Sequence, residues 1–293
     1  MAVCAFVGVN ALADGDTKGS PTDLEWLRAE VGDGALIHHS DGRIYLTELA
    51  TAESVLVGNG NQPEFSPDGT KFAWIDGTAA KGRLRRGDSS IHVIAENVER
   101  LGGVHWLSNT EVAVALRKKD GKRWFRVSLG GEFTEILELT ALGRGGPECD
   151  IRQAEDGIWS YVDDETWRTS DGHRGRVAGT CSVSLSPDGR SVTSLHRGHQ
   201  VLSIEAIRPG GVARKVHWRY AGGFDNHRWA SHHPDYMVVV DEVGEETKGV
   251  TYPVVMRADG SRGARLGNKG LARHMVYGDF TVGDGVGQGW LAP

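Results

Sequence analysis

Twelve histidines are spread over the 293 residues. His38, His39, His196, His199, His227 and His274 fall where polar loops or strand ends are expected, and Asp225, Asn226 and Arg228 adjoin His227. A neutral imidazole ligates Zn, Mn, Fe or Cu and also titrates near neutral pH, so such a set suits a metal site or acid–base work. Histidines also simply populate polar loops, and only the fold decides whether these meet. Other chemistries have no footing. The chain carries no Walker loop, dinucleotide fingerprint, Cys-x-x-Cys pair or Gly-x-Ser-x-Gly elbow. Asp14-Gly15-Asp16 offers too few oxygens for a calcium loop. A net charge of -6 argues against a nucleic-acid partner, which needs a basic surface.

The elements that must position these residues announce themselves as repeats. Asn61 to Asp76 reads as a strand ending in Phe65, a Ser66-Pro67-Asp68-Gly69 turn, and a second strand through Phe72 and Trp74. The unit returns from Cys181, with Ser186-Pro187-Asp188-Gly189 as its turn. Asp188 minus Asp68 is 120 residues, three periods of about 40, the length of a propeller blade. Weaker copies start near Gly102, near Cys149 and at Asn226. Three strands from Ala35 to Val57 lack an inner strand, and His274 to Val282 is a surplus strand that can supply it. Closure from both ends removes free sheet edges. The expected fold is an all-β, six-bladed propeller over residues 35–293, or a seven-bladed one if two blades have been merged. A short helix within residues 14–34 is expected to cover a mouth or side of the ring, opening on a Thr22/Glu25 capping box. Lys81 to Arg86 reads as a solvated basic loop.

This registration gathers His38 and His39 of blade one, His196 and His199 of blade five, His227 of blade six and His274 of the closing strand on one sector of one face. Asp225 and Asn226 lie beside them, and His232 and His233 fall on the lengthened turn of blade six at the opposite face, where they are expected to be exposed. Cys149 and Cys181 occupy the same place in neighbouring blades: 149 minus 61 is 88, as is Asp156 minus Asp68, and 181 minus 61 is 120. A disulfide between them is expected, against two free thiols packed as small apolar residues.

The Ser-Pro-Asp-Gly units resemble the WD40-like repeat of the propeller family around the periplasmic protein TolB. Two copies match closely, Pro63 to Asp76 and Ser182 to Val192, within a resemblance spanning residues 35 to 282. The resemblance implies a propeller that binds its partners over the funnel, without the amino-terminal domain that accompanies TolB. The apolar run Ala2 to Val9, with Ala11-Leu12-Ala13 behind it, reads as the remnant of a signal peptide over residues 1–13, although a basic n-region is missing. No run is long enough to span a membrane. The resulting expectation is a monomeric periplasmic or extracellular protein binding a glycan, peptide or protein. The alternative is a carbohydrate-active enzyme resembling oligogalacturonate lyases. In it His227 and His274 would hold a transition metal, His38 or His199 would be a further ligand or base, and Arg228 would take the substrate carboxylate.

Overall fold

The computed structural model describes residues 21–32, 34–40, 42–49, 54–78, 81–87, 91–98, 103–119, 121–142, 148–163, 165–177, 183–195, 201–217, 223–242, 251–266 and 275–281. Within them lie six four-stranded antiparallel sheets, each a propeller blade. Blade one takes Met275–Thr281 as its inner strand, followed outward by Ala35–Ser40, Arg43–Glu48 and Ser54–Asn59. The inner strands of blades two to six are Asn61–Phe65, Val104–Ser108, Glu148–Gln153, Val183–Leu185 and Gly223–Trp229. Each of the six lies against the next around the axis, the last returning to the first.

The closing strand pairs with Ala35–Ser40 antiparallel, from Ala35 opposite Thr281 to Ser40 opposite Met275. The turn chemistry is as the sequence requires. Ser66 Oγ donates to Asp68 (2.6 Å), the Thr70 N–H donates to the same carboxylate (3.0 Å), and Gly69 holds a positive φ of 68°. Ser186, Asp188 and Gly189 repeat this arrangement in blade five. The expected basic loop differs: Lys81–Gly87 is the third strand of blade two, paired along its length with Phe72–Thr78.

Hydrophobic packing runs between blades, as it must when each sheet has two apolar faces. Phe65, Phe72 and Trp74 of blade two pack on Ala35 and Ile37 of blade one. On its other face Ala73 and Ile75 meet Val104 and Val112 of blade three. Clusters around Trp124 and Tyr161, Val162 and Val192, and Leu202 and Met237 join the next three pairs. The sixth joins Val238 and Val255 of blade six to Leu36 and Leu49 of blade one. The amino-terminal helix, Pro21–Val31, feeds Leu27 and Val31 into that last cluster, so it braces the side of blade six. Thr22 lies inside this helix rather than capping it, because Pro21 already occupies its first turn. Its Glu30 accepts hydrogen bonds from Tyr236 Oη (2.6 Å) and Arg257 Nε (2.7 Å).

Candidate functional site at the propeller axis

Every blade sends one inner-strand residue to the same level of the axis: Asp279, Glu64, His105, Arg152, Ser184 and Arg228, all buried. Glu64 and Arg152 stand four residues before the turn aspartates Asp68 and Asp156, and Ser184 four before Asp188. Their acceptors link neighbouring blades. The Phe65 N–H donates to Asp279 Oδ2 (2.7 Å), Trp106 N–H to Glu64 Oε1 (3.1 Å), and Trp229 N–H to Ser184 Oγ (3.1 Å). Between blades four and five the acceptor is Asp150, two residues earlier on the strand, which takes the Leu185 N–H (3.0 Å). A carboxylate or hydroxyl that caps the next blade's inner strand satisfies an amide that would otherwise be buried unpaired.

The charges fill the axis. Glu64 is fully buried and lies 2.7 Å from Arg228 Nη2, 3.4 Å from Arg152 Nη1 and 3.4 Å from His105 Nδ1. Burial alone would raise the Glu64 carboxyl, but Arg152, the His105 hydrogen bond and Arg228 hold it well below the usual carboxylate range. Burial likewise lowers the His105 imidazole, against the opposing pull of Glu64 and Asp150. Arg152 also reaches Asp150 (3.6 Å), and its Nη2 donates to Ser231 Oγ (3.1 Å).

Ser231 and His232 belong to the lengthened turn of blade six, which folds across the end of the axis. The Ser231 N–H donates to Asp279 Oδ1 (2.8 Å), and His232 Nε2 donates to the Phe65 carbonyl on blade two (3.0 Å). His232 and His233 are therefore half-buried, not exposed as the turn's position suggested. The extra residues let the turn reach back over the ring instead of projecting from it. Beside this turn lies a cavity of about 250 Å³, between the Pro67 and Pro187 turns. Trp106 and Trp159 contribute to its walls, and Arg152, His105, Ser231 and His232 to its polar lining.

The residues singled out from sequence are distributed differently. His227 is buried, its Nε2 2.7 Å from Thr193 Oγ1 of blade five, and burial pushes its pKa down to about 3. Arg228, expected to meet a substrate carboxylate, is bound to the protein's own Glu64. His38 is buried in blade one, stacked on Tyr45 (5.5 Å between ring centroids), with its pKa lowered to about 4 by burial and His39. His39 Nε2 accepts the Gly42 N–H (3.1 Å). His196, His199, His274, Cys181, the segment 1–20 and the side chains of Asp225, Asn226 and Cys149 lie outside the described residues. Among the described residues no group of three His, Cys, Asp or Glu side chains is spaced to hold a metal ion, and no helix is long and apolar enough to cross a membrane. The Cys149–Cys181 bridge stands as a proposal that thiol titration of the denatured, unreduced protein reads directly.

No family model matches the chain, and no curated protein matches it either. Solved structures do. TolB from Acinetobacter baumannii superposes with a TM-score of 0.60 at 13% identity, over 86% of this chain and 67% of that one. A putative TolB from Agrobacterium tumefaciens gives 0.51 at 15% identity, over 86% and 98%. A chain of a nidogen/laminin complex gives 0.55 at 12% identity, over 85% and 98%. The similarity is one of fold.

Proposed function

From the propeller fold shared with TolB, we propose that this chain is a secreted or periplasmic binding protein that acts as a monomer without catalysing a reaction. Its partner, a peptide, protein or glycan, docks over the end of the axis where the Pro67 and Pro187 turns surround the cavity. The observation that carries this reading is the cavity itself. A space of about 250 Å³ combines apolar walls with polar groups whose orientation is already fixed by neighbours on other blades. Apolar walls with a few placed polar groups describe a binding pocket, and a prearranged lining reduces the ordering cost of binding.

The test is to screen the full chain and a Gln153→Trp variant against peptide and glycan arrays. Gln153 lines the cavity and is only half-buried, so an indole there blocks the space with little strain on the core. Ligands of the unmodified chain should lose at least tenfold in affinity. Ligands that bind both proteins equally would remove the cavity from the function.

A further inference from the structure

We infer that the axial cavity binds a carboxylate group, and that His105 and His232 each take up a proton as it enters. The inference rests on the reading of this cavity as the binding site and adds the ligand's chemistry. Its first support is the donor character of the lining. Arg152 is only 6% exposed and lines the cavity, and its Nε is buried with no hydrogen-bond partner. A guanidinium in the lining of a cavity favours a carboxylate, which accepts from it in its own plane. Ser231 and the two imidazoles line the same space, and Trp106 and Trp159 offer apolar surface to the rest of the ligand.

The second support is a count of charge. Glu64 on blade two, Asp150 on blade four and Asp279 on the closing strand face Arg152 on blade four and Arg228 on blade six. Among the described residues that is three negative charges against two positive, an excess of one with the histidines neutral. An entering carboxylate makes the excess two, and a buried excess is costly. Among the described residues the nearest groups able to cancel it are His105 on blade three, its Nδ1 3.4 Å from Glu64 and 3.2 Å from Arg152 Nη1, and His232 on the blade-six turn, 4.0 Å from Glu64. Protonating both brings the sum to zero. Burial, with the Arg152 charge, holds both imidazoles below their ordinary pKa in the empty site, which leaves each able to gain a proton as the ligand's charge enters. The other described titratable groups around the cavity do not take this role. His227 faces Asp150 from blade six but is held by Thr193, His233 follows His232 on the same turn, and Glu155 sits exposed at the rim.

The experiment is isothermal titration of the full chain with phenylacetate, and with a Gly-Gly-Phe peptide carrying a free or an amidated carboxy terminus. Phenylacetamide is the neutral control. Titrations run at pH 5.5 and 7.5, each in two buffers of different ionisation enthalpy. The expected result is binding of the acids and not the amides, tighter by tenfold or more at the lower pH, with buffer-dependent heats showing proton uptake. His232→Gln should reduce both the uptake and the pH dependence. His105→Gln should do the same, and a melting curve of each variant separates misfolding from lost linkage. Binding of the free peptide alone points to a chain terminus, and binding of phenylacetate as well to small acids, either outcome supporting a carboxylate site. Equal binding of amides and acids, abolished by Gln153→Trp, would overturn the inference while leaving the cavity as the binding site. Acid binding that survives Gln153→Trp would overturn both. An affinity that does not change with pH, or no binding by any probe, would overturn the carboxylate–proton assignment.

Discussion

Glu64 is the single side chain on which most of the axis depends, because two guanidiniums, an imidazole and the Trp106 amide converge on its carboxylate. Glu64→Gln keeps the shape but removes the charge, leaving Asp150 and Asp279 as the counterions of Arg152 and Arg228 among the described residues. Breaking a buried pair from one side costs about 3–5 kcal/mol, so urea unfolding at pH 7 should show a loss of that order. A loss under about 1 kcal/mol would mean that water already screens the axis. The buried histidines set a separate dependence on pH. His227 and His38 titrate at about 3 and about 4 when folded, against 6.5 for the free side chain. Between those values the unfolded chain binds more protons than the folded one. The stability associated with these neutral imidazoles is therefore complete above pH 6.5 and is lost as pH falls through the window, at up to about 1.4 kcal/mol per pH unit for each. Unfolding curves at pH 7 and 4.5 should show a shallower decline for His227→Gln than for the unmodified chain; parallel declines would place His227 in water.

At the scale of elements, the helix Pro21–Val31 has a defined task, and Leu27 measures it. This side chain is fully buried against Val238, Val255 and Leu266. Leu27→Ala should cost about 2–5 kcal/mol, as for other fully buried leucines. If differential scanning calorimetry shows no shift in Tm, the helix is an appendage rather than a brace. The strands and turns of the blades were readable from the chain because their chemistry is local. Ser66, Pro67, Asp68 and Gly69 build a turn with no help from elsewhere, and Phe72 and Trp74 mark the strand after it. The axial site was not readable in that way. Glu64, His105, Arg152, Arg228 and Asp279 each lie on a separate strand, in no catalytic motif, and become neighbours only when the ring closes. One signal was available: Glu64 and Arg152 share the offset of four from their turn aspartates, a level where an inward charge in every blade must meet the others. The histidines are no guide to it, because His38 and His227 face the blade interior and not a mouth.

The whole molecule is a ring, and a ring differs from a row of blades in having its last interface made by residues distant in sequence. Here that interface is the strand Met275–Thr281 beside Ala35–Ser40. It fills the inner position of blade one and places Asp279, which holds the Phe65 amide of blade two and the Ser231 amide of blade six at once. Its loss would expose the edge of Ala35–Ser40, orphan both amides and remove one of the three described carboxylates of the axis. Truncation after Leu271 should accordingly abolish the cooperative unfolding transition, because each blade is stable only against both neighbours. Asp279→Asn separates the strand from its charge. It keeps the pairing and one acceptor, and should unfold cooperatively with a loss of about 1–3 kcal/mol. A synthetic peptide of residues 272–293, added to the truncated chain, should restore a cooperative melt whose midpoint rises with peptide concentration. A truncated chain that melts like the full one would show that the five complete blades hold the ring without the strand that closes it.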